Sequence, residues 1–177
     1  MHTARIFLAP ALAPTCGQWY DVDADTDAAE LEAEAIAYTR ANHADIGIWD
    51  KLDITDTEDC GDAKTIASAI AFCAYIDACD KLGVDIAAAI AYAANEGGSN
   101  LPDASACADA YIGKFGPGPA GVYWSHAELA EEFVESTGML DGVHEHIANY
   151  FDYEAYGRDL VLGGDVWESG GYYFWNR

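Results

Sequence analysis

Residues 21 to 35 read DVDADTDAAELEAEA, seven carboxylates in fifteen positions with no base among them. Asp21, Asp23, Asp25 and Asp27 alternate, and Glu32 falls twelfth from Asp21. Carboxylates at positions 1, 3, 5 and 12 are the ligand set of a calcium loop. The rest of that register fits poorly. Position 6 needs glycine for its tight turn and holds Thr26, and position 8 holds the small Ala28. The preceding APALAPTCGQWY contains Pro10, Pro14 and Gly17, which do not build an incoming helix. The same stretch reads as a loop feeding a helix, capped by Asp25 or Asp27, with acids in the first turn where the helix dipole favours them. Both readings leave negative charge unexplained.

A second acidic constellation lies in SHAELAEEFVESTG. Ser125 and Glu128 have the spacing of a capping box. Leu129 and Phe133 form the expected buried stripe. Glu128, Glu131, Glu132 and Glu135 fall at i, i+3, i+4 and i+7, so four carboxylates make one continuous ridge. Like charges at these spacings oppose an isolated helix by a few tenths of a kcal/mol per pair, roughly. A solvated helix face usually interleaves lysine, and this one has none.

Catalytic signatures are missing. The chain holds no phosphate-binding glycine loop, dinucleotide fingerprint, zinc-protease helix or serine-nucleophile elbow. Carboxylate pairs of the glycosidase type carry no information among 31 acids. Cys16, Cys60, Cys73, Cys79 and Cys107 are odd in number and form no CxxC, so reduced thiols are expected. Their spacings with His43, His126, His144 and His146 match no zinc pattern. His144 and His146, at i and i+2, would not share a helix face. No metal and no cofactor are expected.

The net charge is −23, from 31 acids against 8 Lys and Arg. Residues 1–58 carry 12 acids and 3 bases, 59–103 carry 7 and 2, and 104–177 carry 12 and 3. The charge is thus spread along the chain rather than held in a tail. With 51% hydrophobic residues, five Trp, eleven Tyr and six Phe, the chain should fold. Self-repulsion then opposes compaction unless high salt or a strongly basic partner relieves it. Such a chain is repelled by DNA and by anionic membranes. The longest apolar run, IASAIAFCAYI, is too short to span a bilayer. No signal peptide is read, and a cytoplasmic location is expected.

The elements that would position the carboxylates are α+β in three parts. In 1–58, RIFLA at 5–9, GQWYDV at 17–22 and IGIWD at 46–50 read as strands of a small antiparallel sheet. A helix over 27–42 has Leu31, Ala35 and Tyr38 on one face and Asp27, Glu30 and Glu34 on another. The middle unit, 59–103, is helical: 62–83 with Ile66, Ile70, Cys73 and Ile76 inward, ended by Gly83, then 84–98. A third helix is read over 103–113. In 104–177, a Gly/Pro loop at 114–122 precedes the Glu-rich helix. Another helix follows at 150–165, capped at Asp152, with Tyr153, Tyr156 and Leu160 inward. VWESGGYYFW closes the chain as a hairpin.

In their order and spacing, RIFLA, GQWYDVDADTDAAELEAEA, AYIGKFGP, HAELAEEFVESTGML, ANYFDYEAYGRDLVLGGD and the final aromatic hairpin resemble the ArdA-type antirestriction proteins. The middle is richer in Ala and Cys than that pattern, and GPGPAGVYW replaces a more acidic link. The resemblance implies an elongated, non-enzymatic mimic of B-form DNA that dimerises through its C-terminal part. It implies occupation of the DNA groove of type I restriction–modification enzymes, on the methyltransferase core of specificity and modification subunits. Restriction is blocked, with modification left open. Genes of this kind travel on mobile genetic elements. Duplex DNA carries one charge per ~1.7 Å of axis, so 23 charges match roughly 40 Å of duplex and a dimer roughly 80 Å. The expected phosphate substitutes are Asp21, Asp23, Asp25, Asp27, Glu30 and Glu34, with Glu128, Glu131, Glu132 and Glu135. The readings that compete are a mimic aimed at another basic DNA-binding protein, a halophilic protein, and a calcium-binding module.

Overall fold

A computed structural model describes residues 1–45, 51–96, 100–114 and 126–176. It is a mixed α+β structure. Its described residues form seven helices and two three-stranded antiparallel sheets. The chain divides into two compact units, 1–108 and 109–177.

The first unit opens with β1 (Ala4–Pro10) and β2 (Gln18–Val22), the two strands read from RIFLA and GQWYDV. β1 is central, flanked by β2 and by β3 (Leu52–Glu58), both antiparallel to it. The strand expected at 46–50 lies outside the described residues. The third strand of the sheet is LDITDTE, which carries three acids and so gave no apolar alternation to read. Its pairing with β1 supplies what its own sequence lacks, since a strand's stability rests on its neighbours more than on intrinsic preference.

Inward residues of the sheet are Ile6, Leu8, Tyr20 and Val22, all buried. Against this face pack α1 (Ala28–Asn42) and α2 (Ile66–Lys81). Asp27 caps α1, accepting from the Ala29 and Glu30 amides at 2.9 and 3.0 Å. Leu31 and Ala35 are buried as expected, but the third buried position is Thr39 rather than Tyr38. The Thr39 hydroxyl donates to the Ala35 carbonyl at 2.8 Å, which removes the cost of burying it.

Thr65 and Ser68 form a capping box at the start of α2. Gly83 takes φ 83°, and the Val84 amide closes back on the Cys79 carbonyl, ending the helix by the left-handed cap that glycine allows. The buried stripe of α2 is Ala69, Phe72, Cys73, Tyr75, Ile76 and Cys79. Cys73 and Ile76 are buried as expected, whereas Ile66 and Ile70 are only half-buried. α3 (Ile86–Glu96) and α4 (Ala104–Ala110) follow. The helix read over 103–113 stops at Ala110. Tyr111–Lys114 is instead β4, because Tyr111 and Lys114 pair with Phe174 and Tyr172.

The second unit sets β4, β6 (Tyr172–Trp175) and β5 (Val166–Ser169) in a sheet with β6 central. The hairpin around Gly170 and Gly171 is as read from the sequence. α5 (His126–Thr137) packs along α7 (Tyr153–Gly163), with the short α6 (Glu145–Ala148) between them in the chain. Leu129, Leu160 and Val166 form the core of the unit, with Phe133, Tyr156, Tyr173 and Trp175 packed around it. Phe133 lies 5.8 Å from Tyr156 and 5.2 Å from Trp175 between ring centres. Gly157 is the close-approach point of the two helices: any side chain there would strike the His126 carbonyl. Asp152 caps α7 through the Ala155 amide, as expected.

Candidate functional site: acidic surfaces of two units

The acidic stretch of residues 21–34 does not form one continuous loop. Asp21 lies inside β2, paired with Arg5 on β1. The Asp23 carboxylate accepts from the Asp25 amide at 3.0 Å and the Thr26 hydroxyl at 2.8 Å, closing a turn. Asp27 is spent on the α1 cap. A calcium loop needs these oxygens to converge on one point, and here they are held on a strand, a turn and a helix start. Among the described residues no group of three or more His, Cys, Asp or Glu is placed to hold a metal.

What remains is a surface. Asp21, Asp25, Asp27, Glu30 and Glu34 are exposed, and Asp23 is half-buried. Glu30 and Glu34 lie one helical turn apart on α1, and a turn advances ~5.4 Å. Glu34 is close enough to Tyr20 that its charge, after burial, helps raise the phenol's pKa.

Sequence reasoning missed the outer face of the first sheet. Outward-facing Arg5 is flanked in register by Asp21 on one edge strand and Glu58 on the other. Its Nε lies 3.5 Å from Asp21 Oδ1, and its Nη1 donates to Glu58 Oε2 at 2.8 Å. The guanidinium carbon lies 5.0 Å from the centre of the Trp19 ring. Phe7 and Asp56 pair in the adjacent row. Asp56 and Glu58, at i and i+2 in LDITDTE, were the available signal for this face.

On α5, Glu131, Glu132 and Glu135 are exposed and Glu128 is half-buried. The buried side of the helix is Leu129, Ala130 and Val134, with Phe133 partly covered. The ridge thus stands opposite the core, and no lysine or arginine of the described residues pairs with it. Ser125 lies outside the described residues, so the capping box is not placed. The start of α5 is instead held by Glu154 of α7, which accepts from the Ala127 amide at 3.2 Å and lies 3.4 Å from His126 Nδ1.

Four of the five cysteines are closed to nucleophilic chemistry, and Cys16 is half-buried. Cys60, Cys73, Cys79 and Cys107 are buried. Burial pushes the Cys60 and Cys107 thiols up to about 11 and raises Cys73 and Cys79 as well. A thiol held neutral is a poor nucleophile and a poor ligand. His144 and His146 do meet, contrary to the i, i+2 expectation. Their rings stack 5.4 Å apart because His144 is the extended N-cap of α6 rather than a helical residue. Among the described residues no helix is long and apolar enough to cross a membrane.

Comparison with curated proteins gave no match, and comparison with solved structures gave none. A family model described as antirestriction protein (ArdA) matches residues 14–174. That span takes in the acidic stretch, β2, β3, the Glu ridge and the second sheet as far as Phe174, while β1 precedes it. The chain belongs to the ArdA family of antirestriction proteins.

Proposed function

We propose that this protein inhibits a type I restriction–modification enzyme by presenting carboxylates where duplex DNA would present phosphates. The family makes it a non-enzymatic antirestriction protein directed at a restriction enzyme. The mimicry, the target subunits and the assembly go beyond what family membership gives. The observation that carries it is the α5 ridge. Four carboxylates stand on one helix, opposite a packed core, and no described cation pairs with them. A protein gains nothing in stability from that arrangement. It gains if a basic groove supplies the counter-charge.

The proposed contact set is Asp21, Asp23, Asp25, Asp27, Glu30 and Glu34 in the first unit, with Glu128, Glu131, Glu132 and Glu135 in the second. The groove is that of the methyltransferase core of specificity and modification subunits, and a homodimer formed through the 104–177 segment is the inhibiting species. Binding is stoichiometric, reversible and without turnover. Asp23 and Asp27 already serve a turn and a cap, so they contribute charge from fixed positions.

The test is competition. A type I methyltransferase core is bound to labelled duplex and the protein is titrated in at low and moderate salt. Displacement near one dimer per enzyme, weakening as salt rises, is expected. Undisturbed duplex at micromolar protein would refute the target and favour a different basic DNA-binding protein. Folding only in molar salt would favour a halophilic protein.

A further inference from the structure

Arg5 is the anomaly of the acidic surface. It places a cation on the central strand of a face whose proposed task is to be negative. Its surroundings give it a definite function. It sits on the central strand, and its two carboxylate partners sit on the two edge strands in the same register row. The strands are ~4.8 Å apart, so the backbones carrying Asp21 and Glu58 are separated by roughly 10 Å with Arg5 midway. The guanidinium uses Nε toward Asp21 and Nη1 toward Glu58, and its flat face covers Trp19. A planar fork can make all three contacts at once, and an ammonium cannot. Trp19 is itself fixed edge-on by Phe7, with ring centres 5.5 Å apart. The chain of support therefore runs Phe7, Trp19, Arg5 and then outward to two exposed carboxylates.

We infer that Arg5 is a positioning residue for the inhibitory surface, holding Asp21 and Glu58 at fixed places on either side of the sheet. The inference rests on the mimicry reading, and it adds Glu58 to the contact set. Carboxylates that replace phosphates must meet a pre-formed groove, and each loose side chain ordered on binding weakens the complex several-fold, on the order of 2- to 10-fold. Arg5 carries that ordering before binding. Phosphates of duplex DNA are held by their own backbone, and Arg5 does for two side chains what covalent structure does there.

The inference separates from charge counting by sign. Arg5→Gln makes the protein one unit more negative and frees two carboxylates. Counting alone gives inhibition as strong or stronger, whereas positioning gives inhibition roughly fivefold weaker. Arg5→Lys keeps the charge and loses the fork, and should also weaken, by about twofold. Both are read in the competition assay at fixed salt, with thermal unfolding confirming the fold; if the Gln variant does not fold, the Lys variant carries the test. Asp21→Asn is then made with and without Arg5→Gln. Positioning predicts a smaller effect of Asp21→Asn once Arg5 is gone, and additive effects would overturn the proposal. A Gln variant that inhibits as well as the unmodified protein would overturn it too. Carbon relaxation of the Asp21 and Glu58 carboxylate groups gives a partner-free readout, expected to show faster motion in Arg5→Gln. Unchanged motion sinks the positioning role even if the enzyme target is wrong. Failure of the unmodified protein to displace duplex strikes the mimicry reading instead.

Discussion

The two units solve the same electrostatic problem with different materials. The first packs its aliphatic sheet face against helices rich in small residues and thiols, with Ala69, Cys73, Cys79, Ala88, Ala89 and Cys107 all fully buried. It anchors its acids locally, by a cap at Asp27, a turn at Asp23 and the Arg5 fork at Asp21. The second contains no cysteine. Its interior is a small aliphatic centre wrapped by rings, with Trp167 and Phe174 stacked at 4.3 Å. Among the described residues its Glu ridge has no local anchor and relies on the helix. Acids that are anchored one by one keep their positions at some loss of charge. Acids on a bare ridge keep full charge and depend on the packing of the helix beneath them.

The largest effect is expected from Gly157→Ala. A methyl group meets the backbone carbonyl of His126, which cannot move aside as a side chain would. A loss of about 3 kcal/mol is expected in the second unit. Amide spectra should show its signals lost while those of β1, β2 and α1 persist. Inhibition should fall with the ridge even though no acid has changed.

Replacing Glu128, Glu131, Glu132 and Glu135 together by Gln separates charge from fold. The helix should keep or slightly gain stability, since like charges are removed. At about 0.5 kcal/mol per exposed pair, displacement of duplex should weaken roughly 30-fold, with a flatter salt dependence. Unchanged inhibition and salt slope would take the ridge out of the contact.

Alkaline unfolding compares the interiors. A thiol whose folded pKa is raised supports the fold fully below its ordinary value of 9.0 and loses that support as pH climbs towards 11. The first unit should therefore begin to weaken above pH 9. Among the described residues of the second unit, Tyr156 and Tyr173 are raised from an ordinary value of 10.0, so its loss starts later. Hydrogen exchange followed separately in the two units measures the two onsets. Cys60→Ala with Cys107→Ala should bring the onset of the first unit closer to that of the second.

The smallest effect distinguishes anchor from charge at one residue. Asp27→Ala should cost about 1 kcal/mol through the lost cap, and Asp27→Asn only a fraction of that. If both weaken inhibition equally, Asp27 acts through its charge. If only Ala does, it acts through α1. Chemical denaturation alongside the competition assay makes the assignment.

Much of this was legible in the residues because local chemistry decides it. Asp27, Gly83 and Asp152 mark helix ends through their own hydrogen bonds or backbone freedom, whereas Thr65, the cap of α2, lies inside the helix expected from residue 62. RIFLA, GQWYDV and the Gly170-Gly171 hairpin carry strand and turn signals in a few residues. The i, i+3, i+4, i+7 spacing of the α5 glutamates fixes their common face wherever the helix forms. Family membership was legible too, because order and spacing survive where single motifs are weak.

Other features depended on partners distant in the chain. YIGK reads as the end of a helix until β6, sixty residues on, offers it a ladder. LDITDTE has no apolar rhythm and becomes a strand because β1 has a free edge beside it. His144 and His146 stack because one is a cap and the other is not. Arg5, Asp21 and Glu58 span fifty-three residues of sequence and meet only through the register of three strands. The amount of negative charge and the helices that carry it follow from residue types and spacing along the chain. Which carboxylates are anchored follows from folding, since an anchor is a neighbour brought close in space.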